Sequence, residues 1–434
     1  MLKKGFLLGT FLCFIFTISN AQNVLTVGEA IEIALENNFA IKIAEQQTDI
    51  AKQQIYRGNA GMLPIIDYNL NVGTNGNYVN QRFFDGRTIN QFGRSFSPNT
   101  NVSLFWTLYD GRLMQTRFET LKSQGQRQLA QQQLTVQNTL VNVMQTYYEL
   151  LLQNQSLKYL NTIIKFYNER LNITKQRWEF GRGSKLDYLQ SQSDLTTQRS
   201  TFTLTENALK AAKIQLNTLL SREPDTEFDV ETQDTPALQY NLYDLLSEAK
   251  NNNRELLLLQ KELEIAKLNQ QAAESLLKPR IDLNSSFGYS FASNNAGFIV
   301  SNQNTGLNVG LTARWNIFNG QQTRRSIDVA KMNINIVELQ QENLFQQVTA
   351  DVVSAYNQYV TDEKIEEIEE ANQKVTEENL NISLEKFKLG GSTILELIEA
   401  QRSYDISLNR LVNARFNRQI SEVDLLRLSG QLVK

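Results

Sequence analysis

Two hydrophobic spacings alternate along the chain. In RIDLNSSFGYSF (280–291), Ile281, Leu283, Phe287, Tyr289 and Phe291 fall on one side, and Asp282, Asn284, Ser286, Gly288 and Ser290 on the other. In GLNVGLTARWNI (306–317), Leu307, Val309, Leu311, Ala313, Trp315 and Ile317 alternate with Asn308, Gly310, Thr312, Arg314 and Asn316. Tyr68, Leu70 and Val72 alternate with Asp67, Asn69 and Asn71, and Val102, Leu104, Trp106 and Leu108 form a fourth such row. A period of two over nine to twelve residues predicts strands long enough to cross a bilayer at a tilt, with aromatics near their ends. The spacings predict strands over about 64–78, 95–109, 280–292 and 305–318.

Elsewhere the period is three to four. Residues 321–389 contain neither glycine nor proline, and residues 112–179 contain no proline and only Gly125. Each run predicts a helix of about 100 Å. Val329, Met332, Ile336 and Leu339, and later Leu397, Tyr404, Leu408 and Leu411, keep a coiled-coil rhythm. Shorter helices are expected over about 184–220 and 393–428, and one of about 30 residues over 26–58, with Ile31, Leu35, Ile43 and Ile50 on its apolar face. FGRGSKLDYLQS (180–191) and LGGSTILELIEA (389–400) interrupt the helical runs with glycines, which permit tight reversals.

The order of elements is written twice. Asn38, Ala51 and Pro64 match Asn253, Ala266 and Pro279 at an offset of 215, whereas Trp106, Gly111, Tyr147, Gly181 and Gln192 match Trp315, Gly320, Tyr356, Gly390 and Gln401 at 209. The six-residue difference places a longer loop between Pro64 and Trp106 in the first copy. The division is a first repeat over 22–220, an acidic, proline-bearing linker over 221–240, and a second repeat over 241–434.

Composition narrows the chemistry. There is no histidine in 434 residues and one cysteine, Cys13, so the common general base and the clustered metal ligands are missing. No catalytic, metal or cofactor site is expected. A net charge of −3 argues against nucleic-acid binding. Residues 1–21 read as a signal peptide, with Lys3 and Lys4, an apolar stretch, and Ser19-Asn20-Ala21 before Gln22. Cys13 lies inside that stretch after Leu12, a poor setting for lipidation. No later run is apolar enough for a membrane helix.

Four strands cannot close a barrel, and an open sheet edge in hydrocarbon leaves backbone groups unpaired. Several copies must therefore share one barrel if these strands lie in lipid. An antiparallel soluble sheet with one wet face is the alternative reading of the alternation alone.

The leader, the duplicated helix–strand–strand–helix–helix order, the prolines before the strands and the paired glycine tips resemble the TolC family of outer-membrane efflux proteins, over about residues 25–430. The resemblance implies a mainly helical fold with membrane β structure. Four strands per chain build a shared transmembrane barrel, twelve in a homotrimer, continued by a long α-helical coiled-coil barrel into the periplasm. It implies partners too: outer-membrane lipid, a periplasmic adaptor and an inner-membrane pump of the RND or ABC type.

The family's docking tips fall on Gly181, Arg182, Gly183 and Ser184, and on Gly390, Gly391 and Ser392. Its acidic gate ring falls on Glu396 and Glu399, with Asp187 as the acid of the first tip. The lipid face falls on Leu307, Val309, Leu311 and Trp315. Three copies would gather six carboxylates from Glu396 and Glu399, which attract cations and repel anions. The plain alternative is that acids in a helix's first turn simply complement its dipole.

The chain departs from the family in three places. Ser392 stands where a basic residue is common, leaving Arg182 or Lys185 to pair with Asp187; Phe39 and Arg254 follow the asparagines that proline often follows; and the ring acids are glutamates rather than aspartates. An exit duct of a one-step protein secretion system shares the fold. A secreted coiled-coil structural protein is the reading from another class.

Overall fold

The computed structural model describes residues 24–231, 237–296 and 299–432. The expected signal peptide, with Lys3, Lys4 and Cys13, lies outside these, as do residues 232–236 of the linker. The elements are β1 (Val24–Leu25), α1 (Val27–Asn37), α2 (Phe39–Gln54), β2 (Ile65–Arg82), β3 (Thr88–Tyr109), α3 (Leu113–Glu179), α4 (Lys185–Leu219), β4 (Asp229–Val230), α5 (Leu242–Asn252), α6 (Arg254–Ser275), β5 (Arg280–Asn294), β6 (Ser301–Arg314), α7 (Gln322–Leu389) and α8 (Ile394–Ser429). The chain divides into two compact units. One holds residues up to Asn38 with Leu140–Gln239 and Tyr359–Val423, and the other holds Phe39–Thr139, Tyr240–Gln358 and the stretch from Asp424 onward.

The second unit contains one antiparallel sheet in the order β2-β3-β5-β6. Its register carries the alternation across all four strands. Tyr68 pairs with Val102, Val102 with Phe287 and Phe287 with Leu307; the next rung joins Ile66, Leu104, Ser285 and Val309. The opposite face carries Asp67, Ser103, Ser286 and Asn308 on one rung. One face is therefore mainly apolar across all four strands, with Ser285, Thr100 and Thr305 as its polar members over these rungs. A bulge between Thr107 and Tyr109 ejects Leu108 from the row and returns Tyr109 to pair with Ile281.

The first hairpin corrects an expectation. Its extra residues lengthen the strands rather than the loop: β2 and β3 have 18 and 22 residues, against 15 and 14 in β5 and β6. The ladder stays in register from Ile65–Phe105 to Arg82–Thr88, so the pairing never lapses into a loop. A short turn closes it, with Gly86 at φ 89° and its N–H donating to Phe83 O.

β6 ends at Arg314, so Trp315 lies beyond the strand in which it was expected. Its side chain makes a bond at the strand's mouth. Trp315 Nε1 donates to Leu277 O (3.0 Å), and its repeat equivalent Trp106 donates to Met62 O (3.1 Å). Each indole ties a strand end to the segment that enters the hairpin.

The helix expected over 26–58 breaks at Asn38, whose ψ of 128° is extended. Its equivalent Asn253 has ψ 123° and separates α5 from α6. Both breaks are held by the same bond across the repeat: Asn38 Nδ2 donates to Leu219 O (2.7 Å) and Asn253 Nδ2 to Leu428 O (3.0 Å). Asn253 Oδ1 also accepts from the N–H groups of Glu255 and Leu256, which makes it a buried N-cap. The core face of the first helices is not the expected one. Leu35, Ile43 and Ile50 are exposed, while Ala30, Ala34, Ile41, Ala44 and Thr48 are buried.

In the first unit, β1 and β4 form a two-residue parallel pair over a core of Val143, Tyr147, Leu150, Ala212, Leu216 and Phe228. Tyr147 Oη donates to Leu25 O (2.9 Å), and burial pushes its phenol up to about 12. The sequence pairs Tyr147 with Tyr356, but Tyr359, one helical turn on, does the equivalent work: its hydroxyl donates to Leu238 O (2.8 Å).

Asn253→Ala removes one cap and the tie to Leu428 O on α8 at once. It should cost about 1–3 kcal/mol in denaturant unfolding, and Asn253→Asp, which keeps the cap oxygen and loses the donor, should cost less. Equal losses would show that the cap carries nothing.

Candidate functional site

The two helical tips lie in the first unit and share one construction. Gly181 (φ 70°) and Gly390 (φ 77°) adopt the left-handed conformation that ends a helix, reached by other residues only with strain. Arg182 N–H reaches back to Arg177 O (2.7 Å) and Gly181 N–H to Trp178 O (3.0 Å); Gly391 N–H bonds Lys386 O (2.9 Å) and Gly390 N–H bonds Phe387 O (3.1 Å). This is the paired closure that satisfies a helix's last carbonyls. Gly183 is required for space, since a Cβ there would stand 2.8 Å from that of Arg177. Ser184 and Thr393 then restart the helices: Ser184 Oγ accepts from Leu186 N–H (3.0 Å) and Thr393 Oγ1 from Glu396 N–H (3.3 Å).

Of the expected gate acids, Glu396 is exposed on the first turn of α8 and its carboxylate accepts from the Thr393 hydroxyl (3.3 Å). Glu399 is exposed and Asp187 half-buried, and neither side chain makes a hydrogen bond or ion pair among the described residues. No such bond joins the three to one another. Leu397, Ala400, Tyr404 and Leu408 lie on the packed face of α8, in a core with Ile163, Tyr167, Leu195, Leu380, Leu384 and Phe387. That face fixes the rotation of α8 and turns the two glutamates away from the core. Ser392 Oγ is enclosed without a partner.

Neither Arg182 nor Lys185 forms an ion pair with Asp187. Lys185 Nζ instead stands 5.7 Å from the centre of the Trp178 ring, and Trp178 stacks on Tyr188 at 5.4 Å with planes 5° apart. The stack stiffens the first tip across its own turn.

The bonds between the two hairpins come from residues the sequence reading did not single out. Arg170, 1% exposed, donates from Nη1 to Gln401 Oε1 on α8 (2.7 Å) and from Nη2 to Asp194 on α4, and its guanidinium lies 4.9 Å from the Tyr167 ring centre. Gln401 Nε2 donates in turn to Phe166 O (3.3 Å). Nearer the turn, Arg177 donates to Phe387 O and covers that ring at 4.1 Å. Lys388 bridges Glu169 (2.5 Å) and Glu385 (2.7 Å), whose hydrogen bonds hold its ammonium above the ordinary lysine range.

Asp405 faces the other way energetically: burial raises its carboxyl, offset by donors from Gln198 and Asn409. A signal for the network does exist in the sequence. Ile163, Tyr167, Arg170 and Thr174, and Leu397, Gln401, Tyr404 and Leu408, are steps of four, three and four. Arg170 and Gln401 occupy core positions in otherwise inward-facing rows.

An extended sheet with one apolar face, joined in a duplicated chain to long helical hairpins with glycine tips, defines the channel-forming class of outer-membrane proteins. A model of the family described as outer membrane efflux protein matches residues 30–222 and 245–431, and the chain belongs to that family. It is 23% identical to the outer membrane protein TolC of Vibrio cholerae serotype O1 over 426 residues, 96% of this chain and 93% of that one. It is 24% identical to the proteases secretion protein PrtF of Dickeya chrysanthemi over 223 residues, 51% of this chain and 46% of that one. In fold it is similar to the CmeC outer membrane channel of Campylobacter jejuni, with a TM-score of 0.78 at 15% identity over 94% of this chain and 86% of that one. Membership carries the function class: a passive exit channel of the outer membrane that extends into the periplasm, and not an enzyme.

Arg170→Ala leaves Asp194 and Gln401 without their shared donor and should cost about 1.5–3 kcal/mol. The loss should be local: trypsin should cut faster at Arg177, Arg182 or Lys185, with helix content unchanged. Cleavage at the wild-type rate would show that the network does not hold the tips.

Proposed function

We propose that the chain is the outer-membrane exit duct of a tripartite export system, assembled from three copies and closed at its helical tips. The carrying observation is the sheet. One of its faces is mainly apolar across all four strands, and its outer strands β2 and β6 each have one neighbour only. Such a sheet suits lipid only when other copies cover both edges. The stripe of Val329, Met332, Ile336 and Leu339, exposed on α7, supports the same reading, because a single chain leaves it wet.

In this reading repeats 22–220 and 241–434, joined by 221–240, are the two halves of each subunit. Helices α3 and α7, with 67 and 68 residues, give the duct a reach of about 100 Å. Leu307, Val309 and Leu311 face lipid, with Trp315 just below them.

The tips Gly181–Ser184 and Gly390–Ser392 dock a periplasmic adaptor, which couples the duct to an inner-membrane pump of the RND or ABC type. Glu396, Glu399 and Asp187 form the acidic constriction, Glu399 most directly because its side chain is exposed and none of the described residues bonds it. The similarity to PrtF over half the chain favours protein export as a second reading of the same duct.

Ion conductance in a planar bilayer is the direct test. Small, cation-preferring channels are expected, and folded protein that never inserts would remove the duct. Glu399→Gln should lower cation preference more than Glu396→Gln, whose site is already engaged by Thr393; unchanged selectivity in the double variant would remove the ring. Leu307→Lys, on the rung midway along the apolar face, should cost about 2–4 kcal/mol of sheet stability in lipid. A larger cost for Asn308→Lys would reverse the assignment of the two faces.

A further inference from the structure

The first hairpin outruns the second, and the excess has its own chemistry. The apolar face runs from the rung of Ile281 and Ala313 up to Phe291 on β5 and the paired Val72 and Pro98, while on β6 it ends at Leu307. Ten strand steps make about 33 Å along the strand, or about 25 Å in height at a tilt near 40°, the thickness of an outer-membrane apolar band. β2 and β3 continue past that band to Arg82 and Thr88, while β5 leaves β3 at Ser95. A two-stranded ribbon remains, held at its base where Asn295 bonds the Arg94 main chain and accepts from the Gln91 side chain.

The face that continues the apolar one carries Phe96, Arg94, Phe92, Tyr78 and Arg82 in turn, because Thr74 pairs with Phe96, Gly76 with Arg94, and Tyr78 with Phe92. Phe92 lies across Gly76, its Cζ 2.9 Å from where a Cβ would stand, so the missing side chain gives the ring a seat. Arg94 stands 5.8 Å from the centre of that ring. Tyr78 and Phe92 are 69% and 53% exposed, too much for rings serving a core. Arg82 and Arg94 form no ion pair among the described residues; Arg87 is paired with Asp85. Residues 73–97 hold three arginines and one aspartate, and no other charge, in a chain whose net charge is −3.

We infer that this outward face of the first hairpin binds the phosphorylated sugar head group of a glycolipid in the outer leaflet. The inference rests on the membrane reading proposed above. Arg94 lies four residues past Pro98, about 13 Å along the strand and about 10 Å above the band, at head-group height. Flat aromatic faces pack against the apolar faces of sugar rings, and unpaired guanidiniums take phosphate. The surface is continuous with the lipid-facing one, so a lipid anchored beside the barrel presents its head group to it without a further search.

Two measurements on the full chain test this. Flotation with vesicles of outer-membrane lipids tests the membrane reading: wild type that stays behind overturns that reading and this inference with it. For protein that floats, fluorescent lipopolysaccharide is titrated onto the detergent-solubilised wild type, Arg82→Gln/Arg94→Gln, Phe92→Ser, and Lys42→Gln on α2 as a charge control. The double variant should bind about tenfold more weakly or worse, Phe92→Ser should lose affinity with no change of charge, and Lys42→Gln should match wild type. Inorganic phosphate should not compete, since free anion lacks the sugar and the anchor. Wild-type affinity in both ribbon variants, or equal displacement by inorganic phosphate, would overturn the inference while leaving the duct standing.

Discussion

The structure depends on a shortage of backbone partners. A four-stranded sheet always ends on two strands with unpaired N–H and C=O groups, and water normally satisfies them. Here β2 and β6 are those strands, and the apolar row they carry is suited to a solvent that offers no hydrogen bonds. The chain cannot resolve that conflict alone. The exposed stripe on α7 makes the same demand in the language of side chains, since an amphipathic helix stabilises nothing until its apolar face is covered. For a sheet in lipid, as proposed above, subunit sharing follows from hydrogen bonding.

Duplication supplies the rest economically. Equivalent polar groups are reused at equivalent joints: two indoles tie strand mouths to the incoming chain, and two asparagines tie helix breaks to the ends of α4 and α8. All four bonds run from a side chain to a main-chain carbonyl at an irregular point, where helix or sheet bonding has lapsed. Such points need a local donor, and an asparagine or tryptophan in a fixed position supplies one. The equivalence is one of function rather than of strict alignment, as Tyr147 and Tyr359 show by doing one job three residues out of register.

Much of the fold was legible because it is periodic. Alternation located the four strands, and the absence of glycine and proline located α3 and α7. What periodicity could not give was where a regular element stops. The break at Asn38 falls inside an uninterrupted apolar pattern and is set by a carbonyl 181 residues away. β6 ends before Trp315, although the equivalent Trp106 with the same indole bond is still paired inside β3. The length of β2 and β3 was hidden because their upper halves replace apolar residues with asparagine, glutamine and threonine, which pair as strands but do not alternate in hydropathy. At the tips the glycines were visible and their geometry is as expected. Arg170 was not seen, and Gln401 was seen only as the repeat match of Gln192, because a polar residue in a helical row looks like a gap in the stripe rather than a member of it.

The tip then poses a question of roles that geometry answers in part. Glu396 occupies the third position of α8, where an acid complements the helix dipole and can bond the N-cap residue; Thr393 does engage it. Glu399 has no structural duty of that kind, one turn further in and exposed. Two acids on one face thus divide the labour. The first bonds the cap residue where the glycine turn leaves the helix, and the packed face of Leu397, Ala400, Tyr404 and Leu408 fixes the rotation at which the second points outward.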